Sequence, residues 1–303
     1  MIKRKDFFMS EEVSTETVDR KVVSRTELNS FRDQYGADYP IASVTPTVCA
    51  LLGLPEPAGC GADPIAAVVD QAVRANGDDA AVERMLIFCA DAVGETHRQK
   101  YPEQLNRVEK LAGIRLLSSG VMPSCTPVSF ASIFSGASPK VHGIQKYEKP
   151  VLRLETLFDI LIAAGKRVTI VATNSCSMDM IFRKRDMEYY SAKSDERVWQ
   201  ITEKLVEEDA YDVIVCYCGG YDDRSHGFGS DSPEALSVLD NIIGYFESLV
   251  ATVDRCWGDK NRVVAWVADH GNHDLADGTA THGFNIFEDM VVNHFYRVRS
   301  GKR

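Results

Sequence analysis

Six side chains able to hold a metal ion recur in order along the chain, five of them just behind apolar runs. Asp91 follows MLIFCA (85–90) directly. Asp222 and His226 follow DVIVCYC (212–218) after a short turn with two glycines. Asp269 and His270 follow RVVAWVA (262–268) directly, and His282 lies in THGFN. Three carboxylates and three imidazoles form a donor set suited to zinc and other borderline divalent ions. Taken singly, each has a bland reading. An Asp after a strand caps a turn, His226 is a surface histidine, and Asp-His-Gly is a turn triplet. In this order, the six supply about what two ions require. A seventh residue, Thr126 in PSCTPVSFASIFSG (123–136), precedes a helix-like run that begins near Val128. Backbone N–H groups at such a start favour anions. Thr126 is therefore either a helix cap or a hydroxyl nucleophile.

The elements that must position these residues can be read from the same runs. MLIFCA, RVTIVA (167–172), DVIVCYC and RVVAWVA are short, continuous and rich in β-branched residues. Such runs suit strands buried on both faces. Helix-like stretches lie between them: TLFDILIAAG (156–165), RVWQITEKLVEEDA (197–210) and PEALSVLDNIIGYFESLVATV (233–253). The alternation predicts an α/β fold, a mostly parallel sheet with helices on both faces. In such sheets ligands bind beyond the carboxyl ends of the strands, where five of the six candidates stand. Upstream, Thr45 as N-cap with Pro46 predicts a helix ending at Gly53. Asp63 and Pro64 predict a second one reaching about Gly77. Residues 1–40 read as a tail or peripheral hairpin, and residues 41–303 as one catalytic domain.

Together the motifs resemble the alkaline phosphatase superfamily, and within it the nucleotide pyrophosphatase/phosphodiesterase branch. The resemblance covers roughly residues 85–285. It rests on Asp91, on Thr126 through SIFSGASPKVHGI, on DDRSH (222–226), on ADHG (268–271) and on THG (281–283). It implies a three-layer α/β/α sandwich and a phosphate-ester hydrolase, either a phosphodiesterase or a phosphomonoesterase. Thr126, ten residues before Gly136, would be the nucleophile and would form a phosphothreonine intermediate. Asp222, His226 and His282 would hold one ion, and Asp91, Asp269 and His270 the other, with the Thr126 oxygen between them. Zinc is the expected metal and manganese the second choice. Asp223 is one residue out of the D-x-x-x-H spacing and reads as a solvent or supporting group. The chain departs from the pattern where Gln145, Lys146 and Tyr147 follow H-G-I, and where Ser129 stands three residues after Thr126. A phosphonate hydrolase acting on a phosphonoacetate-like substrate uses the same set and is the main alternative. Sulfatase chemistry fits less well, since Cys125 is one position early and its Arg partner is missing. A metal-binding protein without turnover is the remaining reading.

Composition narrows the rest. The chain has 303 residues, 45% of them hydrophobic, and a formal net charge of -10. That charge argues against nucleic-acid polymers as partners, which need excess Lys and Arg. It leaves room for a small anionic substrate, because bound cations reverse the local field. No apolar run reads as long enough to span a membrane, and no secretory signal is seen. Eight scattered cysteines without a CxxC pair suggest reduced thiols and a cytoplasmic location. Arg183, Lys184 and Arg185 read as a solvated basic loop or a substrate contact, His142 as packing, and His273 as exposed. His97 and His294 have no evident partner, and Cys216 and Cys218 share a core face.

Overall fold

The computed structural model describes residues 5–77 and 81–301. Among the described residues ten strands are formed: β1 Tyr39–Pro40, β2 Arg84–Ala90, β3 Ile114–Ser119, β4 Val168–Thr173, β5 Glu188–Ala192, β6 Val213–Cys218, β7 Arg262–Ala268, β8 His273–Asp274, β9 Ala280–Thr281 and β10 Val291–Arg299. Eight make one sheet in the order β1-β3-β10-β7-β2-β6-β4-β5, and β8 and β9 make a small hairpin. All neighbours in the large sheet run parallel except β10, which is antiparallel to both β3 and β7.

The four apolar runs of the sequence are β2, β4, β6 and β7. Every residue of β6 and β7 is buried, as continuous apolar runs require when both faces are covered. On one face Phe88 stacks on Trp266 at 5.2 Å, and Phe246 of helix Pro233–Cys256 meets both rings edge-on. Helices Asp195–Glu207 and Pro102–Ala112 pack on that same helix. On the other face Phe130 of helix Thr126–Ser135 meets Tyr217 edge-on at 5.5 Å. That helix packs on Val44–Leu52, Leu157–Ala163 and Ser177–Ile181. The result is helix, sheet and helix in three layers.

Register is what builds the rim. Ala90 sits opposite Ala268 on one side and Cys218 on the other. The residue after each strand, Asp91, Gly219 and Asp269, therefore emerges at one level of the sheet edge.

Several local expectations are corrected. Residues 5–35, read as a tail or hairpin, form one helix, Lys5–Tyr35, and the chain then enters the sheet as β1. Thr45 is not a cap. Helix Val44–Leu52 begins two residues earlier, with Ser43 in the N-cap position, and the Thr45 hydroxyl donates to the Ile133 carbonyl at 2.7 Å. The next helix starts at Ala66, leaving Asp63 free to pair with Arg25 at 2.6 Å. Helix Pro233–Cys256 does reach the length and hydropathy of a membrane span. Its apolar residues, among them Leu239, Ile243, Phe246 and Val250, are buried against the core.

Candidate metal centre

Asp91, Asp269 and His270 form one trio whose ligand atoms all lie within 4.8 Å of one another; Asp222, His226 and His282 form a second under the same bound. In the first, His270 Nε2 is 3.3 Å from Asp269 Oδ2 and 3.4 Å from Asp91 Oδ1. In the second, Asp222 Oδ2 is 3.4 Å from His226 Nε2, and Asp222 Oδ1 is 3.6 Å from His282 Nε2. The trios adjoin, since the rings of His270 and His282 stack with centroids 4.0 Å apart. Thr126 Oγ1 lies 3.3 Å from His270 Nε2. Thr126 is the first helical residue and Cys125 occupies the N-cap position. The hydroxyl thus points at the trio and makes no capping bond.

Local structure explains how the side chains are aimed. Helix Gly220–Phe228 puts Asp222 and His226 four residues apart, on one face. Ahead of it, Asp195 accepts from the Gly219 and Gly220 amides at 3.2 and 2.7 Å and so fixes the turn leaving β6. Burial raises the Asp195 carboxyl to about 6. Behind His270, a Cβ on Gly271 would lie 2.0 Å from the Glu288 carbonyl oxygen. The third residue of Asp-His-Gly must therefore be glycine. Asp289 braces the loop carrying His282, accepting from the Phe284 amide at 2.9 Å and pairing with His273 at 2.6 Å.

The donor set fits divalent cations. Each imidazole has its Nδ1 on a backbone carbonyl: His226 on Ala280 at 2.9 Å, His282 on Ser124 at 3.0 Å and His270 on Gly271 at 3.0 Å. Donation from Nδ1–H leaves Nε2 as a lone pair aimed inward. Those lone pairs face other acceptors. His226 Nε2 and His282 Nε2 are 3.2 Å apart. The buried oxygens Asp91 Oδ1, Asp222 Oδ1 and Asp269 Oδ2 have no hydrogen-bond partner among the described residues. Acceptors converging without donors are stable only around positive charge. Without a metal, protons stand in for it. Burial, then the charge of Asp222, pushes Asp91 well above the usual carboxylate range. Burial, then Asp91, does the same to Asp269. Hydrogen bonding to Asp222 lifts His226 to about 9, while burial drops His282 to about 3.

Other candidates fall elsewhere. Burial lifts the Cys125 thiol to about 12, which disqualifies it as a nucleophile at neutral pH. Of the basic run, Lys184 is exposed, while Arg183 and Arg185 are tied down by partners within the chain. Arg183 binds Asp179 and Ser191, and Arg185 binds Asp159 at 3.0 Å and the Leu152 carbonyl at 3.2 Å. His142 packs as expected: its Nδ1 accepts from the Ile144 amide and its Nε2 pairs with Ser132 Oγ at 3.0 Å. His97 pairs with Gln104, and His294 with the Ala268 carbonyl. His273, read as exposed, is half-buried on Asp289. Lys146 pairs with Glu148 at 3.2 Å, and Tyr147 stays exposed. A cavity of about 800 Å³ is lined by Lys149, Cys176, Asp195, Asp223 and Arg224 among others. Sequence reasoning missed Asp195, Tyr217 and Asp289. None carries a motif, and Asp195 looks like an ordinary first-turn acid.

No protein-family model matches the chain, and no curated protein does. Solved structures do. Phosphonoacetate hydrolase from Sinorhizobium meliloti 1021, in complex with phosphonoformate, matches with a TM-score of 0.50 and 20% identity, over 68% of this chain and 61% of that one. Murine ectonucleotide pyrophosphatase/phosphodiesterase 5 matches with a TM-score of 0.51 and 18% identity, over 64% and 58%. The match spans less than two thirds of either solved chain. The likeness is one of fold: the chain has the three-layer, alkaline phosphatase-like architecture that its motifs lead one to expect.

Proposed function

We propose that this chain is a metal-dependent hydrolase of small phosphate esters, with Thr126 as nucleophile and two divalent ions, zinc by donor type. The observation that carries the reading is the pair of trios next to the Thr126 hydroxyl, with inward atoms that are all acceptors. Asp222, His226 and His282 would hold one ion, and Asp91, Asp269 and His270 the other. Bound there, the ions supply positive charge that favours the Thr126 alkoxide and the phosphoryl oxygens. Thr126 Oγ attacks phosphorus in line with the leaving group. A bond from Oγ to phosphorus forms, the ester bond breaks, and the leaving oxygen takes a proton from solvent. Water then attacks the phosphothreonine, which returns Thr126 and releases phosphate from a monoester or a phosphomonoester from a diester. The proton lost from the Thr126 hydroxyl passes to solvent, and one is returned from the attacking water. The chain's own part is positioning. Its register and its three braced imidazoles fix the charges before substrate arrives, so little reorganisation is needed.

A phosphonate is the second reading. One fold relative is a phosphonoacetate hydrolase solved with phosphonoformate, and the other was also solved as an inactive variant in complex with AMP. The same threonine and ligands would serve either bond. Purified protein loaded with Zn²⁺ or Mn²⁺ should be assayed on p-nitrophenyl phosphate, bis-p-nitrophenyl phosphate and phosphonoacetate. Thr126→Ala should lower turnover by about 10⁴-fold or more, by analogy with removal of other catalytic nucleophiles, and keep its metal content. Full activity in that variant, or no turnover of any of the three by loaded wild type, would sink the proposal.

A further inference from the structure

Tyr217 lies one strand away from Asp91 and belongs to neither trio. Its side chain is buried, and its hydroxyl donates to Asp91 Oδ2. The other oxygen, Asp91 Oδ1, is buried without a hydrogen-bond partner and lies 3.4 Å from His270 Nε2. One oxygen is thus anchored to the sheet and the other left to the centre. The ring is held as well. Phe130, four residues along the helix that Thr126 opens, meets it edge-on at 5.5 Å, an interplanar angle of 81°. Beyond the hydroxyl, a Cβ on Gly219 would come within 2.6 Å of the Tyr217 oxygen. Gly219 has φ −110, which any residue adopts, so its lack of a side chain serves space and not backbone freedom.

We infer that Tyr217 is a positioning residue that commits Asp91 to offer a single oxygen, Oδ1, to the ion shared with Asp269 and His270. The inference rests on the metal-centre reading above. A carboxylate free at both oxygens can swing between one-oxygen and two-oxygen binding. Tyr217 removes that choice, and through Phe130 it ties the aim of Asp91 to the helix carrying Thr126. Partners of this kind orient metal ligands, and their loss typically costs 10–100-fold in metal affinity.

Two variants separate the hydroxyl from the packing. Tyr217→Phe removes the oxygen and keeps the ring, and Gly219→Ala keeps the oxygen and displaces it. Zn²⁺ binding to each full-length protein would be measured by competition with a chromophoric chelator, which resolves two dissociation constants. Thermal unfolding in EDTA would be run alongside. Both variants should weaken one ion about 10–100-fold and leave the other within about threefold. The melting temperature of metal-free Tyr217→Phe should stay close to that of wild type. Unchanged constants in Tyr217→Phe, or equal weakening of both ions, would overturn the inference. Wild type that binds no zinc would overturn the underlying reading and this inference together, a result distinct from either.

Discussion

Asp269→Asn should reverse its effect on stability depending on whether metal is present. In the metal-free protein, Asp269 and Asp91 are buried carboxylates with ligand oxygens within 4.8 Å. At an effective dielectric constant of about 20, two unit charges at that separation repel by about 3 kcal/mol. The protein meets that cost either as repulsion or by holding a proton. The sign follows from the direction of the shift. Burial, then Asp91, raises the Asp269 carboxyl above its ordinary 3.8. The folded state therefore holds a proton that the unfolded state has lost, and stability falls as pH rises above about 4. Asparagine removes this penalty at pH 7. Its oxygen can keep the bond from the Ala92 amide, 3.2 Å in wild type. Its new amide can donate toward His270 Nε2, which lies 3.3 Å from the oxygen it replaces. In EDTA the variant should melt roughly 5 °C above wild type, given a few degrees per kcal/mol for a chain of this size. With zinc at about a thousand times its dissociation constant, wild type gains about 4 kcal/mol. The variant, lacking a charged ligand, gains much less, and the order inverts. Differential scanning calorimetry with EDTA and with zinc, plus elemental analysis, reads both halves. If Asp269→Asn were destabilising by the same amount in both conditions, the residue would be a structural acid and the two-ion reading would lose its main support.

Two further predictions concern pH. His226 sits near pKa 9 in the metal-free protein, chiefly through its hydrogen bond to Asp222. At pH 7.5 it carries a proton that an incoming ion must displace. Zinc loading should then release about one proton at that site, and affinity should rise about tenfold per pH unit up to about 9. Calorimetric titrations in buffers of different ionisation enthalpy would show this, and a buffer-independent enthalpy would contradict it. His142 behaves in the opposite sense, burial holding it down to about 3. The unfolded chain takes up its proton near 6.5 and the folded chain does not, so stability is lost as pH falls from 6.5 toward 3, by about 1.4 kcal/mol per unit. His142→Gln should flatten the urea midpoint's dependence on pH over that range by about one proton's worth. An unchanged slope would mean that the histidine is already protonated in the fold.

The legible part of the sequence was the part that is local and apolar. Arg262–Ala268 forms a strand over the same residues as its apolar run, and the other three runs shift by one residue. Burial on both faces demands uninterrupted apolar residues, and these leave a plain trace. Five of the trio ligands could be seen because they follow such runs within a few residues, and His282 because it lies in the short group THGFN. Strand Val291–Arg299 escaped because VVNHFYRVR mixes charges with apolar residues, yet it lies inside the sheet. His294 survives there, fully buried, by binding the Ala268 carbonyl at 2.8 Å. Strand Ile114–Ser119 and the helix Lys5–Tyr35 escaped for a related reason, since tertiary contacts decide them and not their own pattern. The same holds for Tyr217, Asp195 and Asp289, whose partners lie across strands or loops. Spacing in a chain predicts which residues share an element. It does not say which buried hydroxyl will face which carboxylate.

The histidine pair at 226 and 282 has one more consequence. These residues are 56 positions apart, and each leans on a backbone carbonyl, Ala280 of β9 for one and Ser124 for the other. An ion between them acts as a detachable staple across three segments, the approach to Thr126 included. The sheet beneath needs no such staple, because β2, β6 and β7 are joined by their own ladder of backbone bonds. Stripping the ion would slacken the rim and spare the foundation, leaving an ordered scaffold whose working edge has come undone.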